Sequence, residues 1–259
     1  MSNYQVISKV DHAQLRWKSG TGFGFAKDDA IAPLGVLELP SAMMHLAIAF
    51  HQEGDRFTPA ALQGLQQGKN LMVDRNGKWL AGYVPAIYRS YPFVFAEAAD
   101  SHEVLCADFS SGLLSDSSDG KPLFDSLGEP TTALQEVLKF MANQKANREV
   151  TASICQQLHK HNLIQPWLIK VQSGNVELSV EGLFRIDEAA LNGLGKEALS
   201  ELRDAGALPV AYMQLLSMQH ISQLGELANM NISPKSPYFP RNIDFGGLSD
   251  GGNITFGNI

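Results

Sequence analysis

The chain has 259 residues, 44% of them hydrophobic and 18% charged, with two cysteines. That composition excludes a disulfide-stapled scaffold and a disordered acidic chain, and leaves an ordinary globular protein of one domain or two small ones. Twenty basic against 27 acidic residues give a net charge of −7, which speaks against a nucleic-acid-binding face.

A membrane-spanning helix needs about 20 nearly uninterrupted apolar residues. The longest apolar run, 37–50, is broken by Glu38, Pro40, Ser41 and His45, so no span is expected. The opening MSNYQVISKVDHAQ lacks a basic cluster followed by an apolar core, so no signal peptide is visible. The expected location is the cytoplasm, with Cys106 and Cys155 reduced.

In chain order, residues 20–24 form a turn, and 31–39 lead into a short helix running into a strand over 41–50. Short strands bounded by turn residues follow at 60–65, 70–73, 78–83, 93–97 and 103–109. Between two of them, Asp74-Arg75-Asn76-Gly77 predicts a tight hairpin inside an antiparallel sheet, because Asn and Gly both tolerate positive φ. Residues 110–128, rich in Ser, Asp and Gly, read as a long polar loop.

Pro130-Thr131-Thr132 then opens a helix. Leu134, Val137, Leu138 and Met141 recur at helical spacing, as do Val150, Ile154, Cys155 and Leu158. The polar stretch 143–149 leaves two options, a pair of helices or one long helix with a solvated waist; Asn162 ends it. A second hairpin is expected from 167–172 and 175–184 around Ser173-Gly174. Helices over 188–194, 196–205 and 210–228 follow, punctuated by Asp187 and Gly195. From 231 onward Pro234, Pro237, Pro240 and five glycines predict a mobile or surface-draped extension. The expected fold is α+β. A single domain over 1–230 has a central antiparallel β-sheet rich in short strands and hairpins, then a mainly helical C-terminal half. A Gly/Pro-rich tail covers 231–259.

Most candidate chemistry dissolves on inspection. The seven histidines contain no His-x-Asp and no His-Glu-x-x-His spacing, so no metal site is expected. His159 and His161 point about 200° apart on a helix and suit a solvated helix end. No Gly-x-Ser-x-Gly elbow occurs, and both cysteines lie in apolar surroundings that favour core packing. Gly20-Thr21-Gly22-Phe23-Gly24 lacks the following Lys-Ser/Thr of a phosphate loop. Asp28-Asp29, Asp116 with Asp119, and Asp187-Glu188 suit loops or helix starts. On the helix near 212, Gln214 and Ser217 share a face while Tyr212 does not, and helix packing is the expected role.

What remains is Trp79, Tyr83, Tyr88, Arg89, Tyr91 and Phe93 within fifteen positions. Tyr and Trp offer rigid contact area with a polar handle, and Arg can grip a carboxylate. Pro85 and Pro92 push the residues before them toward extended backbone, which brackets 86–90 stiffly. Two readings stay open. Either Trp79, Tyr83 and Phe93 fill a core with Arg89 paired locally, or Trp79, Tyr83, Arg89 and Tyr91 form a ligand surface for a peptide or small amphipathic molecule, joined by His12 and His102.

Four stretches carry a resemblance. The first runs from Gly68-Lys69-Asn70 through Asp74, Gly77, Trp79 and Tyr83-Val84-Pro85 to Arg89-Ser90-Tyr91-Pro92-Phe93. The others are Leu123-Phe124-Asp125, the stretch 183–192, and Glu201-Leu202-Arg203 through Gly206-Ala207-Leu208 to the stretch 212–217. Together with His12 they resemble the SapC family, over roughly residues 10–228. The resemblance implies a bacterial protein associated with S-layer systems, and accessory work in peptide or surface-protein modification or export. It brings no catalytic residues and no cofactor. A non-catalytic accessory or binding protein with a protein or peptide partner is therefore expected. The alternative is an oxygenase-like enzyme acting on a peptide or amino acid, with a site assembled from His12, His102 and Arg89; a structural S-layer component is the third option.

Overall fold

The computed structural model describes residues 3–20, 22–97, 103–173 and 176–232. His102 and the tail from 233 onward lie outside the described residues.

Short strands dominate the first half: β1 (Tyr4–Val6), β2 (Arg16–Trp17), β3 (Ile31–Pro33), helix α1 (Leu39–Ala42), β4 (Ile48–Glu53), β5 (Arg56–Leu62), β6 (Phe93–Glu97), β7 (Glu103–Asp108), β8 (Leu114–Ser115) and β9 (Lys121–Pro122). The long helix α2 (Thr132–Lys160) follows, then β10 (Ile164–Pro166), β11 (Ile169–Ser173), β12 (Val176–Val180) and β13 (Leu183–Ile186). Four helices close the described chain: α3 (Glu188–Asn192), α4 (Lys196–Asp204), α5 (Ala207–Ser217) and α6 (Ile221–Ile232). Every strand pairing is antiparallel, so the class is α+β. The main sheet runs β10-β13-β4-β5-β3, a second runs β1-β7-β6, β2 sits between β8 and β9, and β11 pairs with β12.

Helix α2 organises the rest. The Thr131 hydroxyl accepts from the Leu134 N–H at its start, and Asn162, at φ 55°, stops the chain just beyond its end. Its 29 residues span about 43 Å at 1.5 Å each, long enough to serve two cores. Ile154, Cys155 and Leu158 join the large core around β4, β5 and α5, while Leu134 and Met141 join a small one with Leu15, Phe93, Ala107 and Leu123. The structure takes the single-helix option, and the polar stretch 143–149 is largely exposed as a solvated waist would be, but Asn147 within it and Thr151 just beyond it are buried, each taking a backbone N–H from the turn before α1.

Gln214 and Ser217 do the packing work expected of them. Where β13 and β4 splay apart, Gln214 stands in for a missing peptide group. Its Oε1 accepts from the Ile186 N–H at 2.9 Å and its Nε2 donates to the Ile48 carbonyl at 3.0 Å. The Ser217 hydroxyl accepts from the Ile48 N–H at 3.0 Å, and Tyr212 is exposed.

Four local expectations are corrected. The turn at Asp74 forms, with the Gly77 N–H donating to the Asp74 carbonyl and Gly77 at φ 77°, but Asn76 does not take positive φ. The turn closes on a lone bridge between Val73 and Trp79 and lies in no sheet, so 70–73 and 78–83 are not strands. Asn70 instead holds that loop, donating to the Ala26 carbonyl and Gln63 and accepting from the Met72 N–H. Residues 174 and 175 of the expected second hairpin lie outside the described residues, and 176–184 is not one strand: Gly182, at φ 77°, turns the chain so that β12 pairs with β11 while β13 enters the main sheet. The loop 110–128 contributes β8 and β9.

Candidate functional site

Glu38 sits in the 3₁₀ turn Val36–Glu38 that runs into α1. The first N–H groups of such a start have no partner inside the helix, and three neighbours supply one. The Gly35 N–H donates to Glu38 Oε1 at 2.9 Å, Val36 N–H to Thr151 Oγ1 at 2.8 Å, and Leu37 N–H to Asn147 Oδ1 at 3.3 Å. The approach to α2 is close enough to require glycine, since a Cβ on Gly35 would stand 2.0 Å from Asn147 Nδ2. The buried Glu38 also accepts at Oε2 from the Tyr83 hydroxyl and the Ala86 N–H, both at 2.9 Å. One carboxylate thus ties the start of α1 to the segment around Pro85.

The aromatic–arginine run divides in two. Trp79, packed against Phe23 and Tyr88, donates from Nε1 to the Tyr83 carbonyl at 2.8 Å. Arg89 donates to the Tyr83 hydroxyl at 2.7 Å and to the Val84 carbonyl at 3.0 Å, with its guanidinium 5.1 Å from the Tyr83 ring centre. Arg89, Tyr83 and Glu38 therefore form one chain of hydrogen bonds. Burial and the Glu38 charge hold the Tyr83 hydroxyl well above its usual pKa, so it remains a donor. Tyr91 belongs elsewhere: its ring stacks on Phe25 at 3.7 Å and its hydroxyl donates to Asp108 at 3.1 Å. His12 closes its own turn, accepting from the Ser8 N–H at 3.1 Å with its ring against Phe109. The structure thus brings Trp79, Tyr83 and Arg89 together and sets Tyr91 and His12 apart from them. Core filling holds for Trp79 and Phe93, and Arg89 pairs locally with a phenol and a carbonyl rather than with an acid.

Behind this segment lies a cavity of about 260 Å³. The segment contributes Ala86, Ile87 and Ser90 to its wall, while Trp79, Tyr83, Arg89 and Tyr91 do not line it. Helix α2 adds Met141, Gln144 and Arg148, spaced by three and four residues and so along one stripe. Arg148 is exposed and makes no ion pair among the described residues. Gly35, Glu38, Gln144 and Arg148 had no place among the sequence candidates. Glu38 did leave a trace, as the one acidic residue in the apolar run 37–50.

Other chemistry has little support in the described residues. No three His, Cys, Asp or Glu side chains converge to hold a metal ion there. Burial pushes the Cys155 thiol up to about 12, far from a nucleophilic thiolate, and Cys106 is buried as well. No described helix is long and apolar enough to cross a membrane.

Fold and cleft together define an α+β protein with a small, largely apolar cavity flanked by Arg148, a cation without an ion pair among the described residues. The SapC family model matches residues 7–224, and the chain belongs to the SapC family. Searches of curated proteins and of solved structures give no significant match.

Proposed function

We propose that this protein is a non-catalytic binding protein that receives a peptide, as an accessory in peptide or surface-protein modification or export. The supporting observation is the cavity between the segment 86–90 and α2, with Arg148 beside an apolar interior. At about 260 Å³ it falls just below the roughly 300–1,000 Å³ of small-molecule sites. One or two side chains of a peptide fit such a space better than a cofactor does. On this reading Trp79, Tyr83 and Arg89 are positioning residues. Through Glu38 they fix the backbone at Ala86 and hence the wall that the ligand meets.

The test is selection of a random heptapeptide library on the full chain, followed by affinity measurement on a variant with the cavity filled. Gln144→Trp places a bulky ring at the half-buried helix stripe without entering either core. Selected peptides are expected to bind the wild type and to lose at least about tenfold, or 1.4 kcal/mol, on Gln144→Trp, with an unchanged melting profile. Equal affinity for both proteins places the ligand elsewhere.

A further inference from the structure

The cavity borders an open sheet edge. In the order β1-β7-β6, strand β6 is paired on one side alone. The register tells which backbone groups face the open side. The Ile7 N–H, just after β1, donates to the Leu105 carbonyl at 2.8 Å, so the backbone groups of Leu105 face β1. Phe95 stands opposite Leu105 and must turn its own N–H and C=O away from β7, because antiparallel pairs alternate between bonded and non-bonded positions. The Asp108 N–H, which donates to the Pro92 carbonyl at 3.0 Å, fits the same alternation. The backbone of Phe93 also points away from β7, but the residue is fully buried and its N–H reaches the Ser90 carbonyl at 2.7 Å, so the accessible edge of β6 is at Phe95. The outward groups of Phe95 have no partner among the described residues.

These open groups lie along the cavity. Phe93, Val94 and Phe95 all line it, and three consecutive strand residues, whose side chains alternate between faces, share one cavity by flanking it with the strand's edge. The neighbouring wall at Pro33 belongs to β3, an edge of the main sheet, and proline has no N–H to offer a ladder. Of the two edges meeting here, β3 is blunted and β6 is open. Glu38 spends its oxygens on three donors, so the charge available to a ligand is the cation of Arg148.

We propose that β6 is a strand-addition site for an extended peptide bearing a carboxylate. The peptide backbone pairs with both groups of Phe95, an apolar side chain enters the cavity, and the carboxylate meets Arg148. Main-chain bonds of this kind give affinity, and alternate side chains give specificity. The proposal rests on the peptide-binding reading above and specifies how the peptide is held.

The experiment methylates each backbone nitrogen of a selected heptapeptide in turn and measures affinity for the full chain by fluorescence anisotropy. Methylation of the nitrogen that pairs with the Phe95 carbonyl is expected to cost at least about tenfold, with the positions on either side of it, which point away from β6, nearly silent, following the two-residue alternation of a ladder. Amidating the C-terminus, or replacing an acidic side chain by its amide, identifies the source of the carboxylate. That loss should reach about tenfold and vanish on Arg148→Ala. Because the methyl groups are on the peptide, folding of the protein does not enter. Bound peptides without the alternation overturn strand addition while peptide binding stands; failure to select any peptide overturns both.

Discussion

The two sides of the segment 83–93 are built on opposite principles. On its outer side, Trp79 Nε1, the Tyr83 hydroxyl and the Arg89 guanidinium are hydrogen-bonded, and they tie to Glu38, a residue of the cavity wall whose two oxygens are both taken up. On its inner side, at β6, backbone groups of a sheet edge stand unpaired beside a cavity. A satisfied polar network rigidifies what it touches, whereas an unpaired edge is a template for another strand. The outer side, rich in the aromatic residues that attract attention in the sequence, holds the wall; the plainer inner side is where a ligand finds unmet bonds.

The largest effect should come from removing the carboxylate at the centre of the outer network. Glu38→Ala leaves the Gly35 and Ala86 N–H groups and the Tyr83 hydroxyl without their acceptor. Each unsatisfied buried donor costs about 1–3 kcal/mol, so urea unfolding should show a loss on the order of 4 kcal/mol. A loss below about 1 kcal/mol would show that Glu38 is not the tie. Gly35→Ala comes next, at about 1–3 kcal/mol for overpacking against Asn147. The same substitution made on top of Asn147→Ala should cost less, and an unchanged cost would remove the close approach as its cause.

Asp108, which holds Tyr91 away from the cluster, gives a pH-dependent test. Burial pushes its carboxyl pKa up, but hydrogen bonds from the Ser110 hydroxyl, the Asn3 and Ser110 N–H groups and Tyr91 more than offset this, leaving it below the usual value. The stabilisation is fully present above the unfolded-state value of about 3.9 and fades as pH falls through the lowered folded value. Asp108→Asn should therefore be less stable than wild type near neutral pH, with the gap in urea midpoint closing in acid. A gap that widens in acid contradicts the assignment. Arg89→Ala should have the smallest effect on stability, below about 1 kcal/mol for an exposed charge, and should lower peptide affinity less than Arg148→Ala does. The reverse order of the two arginines would move the ligand to the outer face.

The sequence was most legible where chemistry is local. Thr131, Asn162 and Asp187 mark helix limits because a cap depends on a few neighbouring residues. The strands at 93–97 and 103–108 showed through their turn-bounded apolar runs. Long-range partnership was hidden. Nothing within 175–184 says that its end crosses to β4, and nothing near Asn147 says that a turn more than a hundred residues earlier will bury it. The cleft was hidden for the same reason. Its walls come from near positions 33–38, 86–95 and 141–148, and the property that marks it, an unpaired backbone edge, belongs to no residue type.

Strand β1 offers an internal control, since it too is paired on one side alone but contributes nothing to the cavity. Amide hydrogen exchange of the full chain, with and without a selected heptapeptide, compares the two edges in one measurement. The Phe95 amide should slow by at least about tenfold on binding, while the outward amides of Tyr4 and Val6 keep their rates, as expected if only the edge beside the cavity gains a ladder. Protection at Tyr4 and Val6 with none at Phe95 would contradict β6 as the place where the peptide is held.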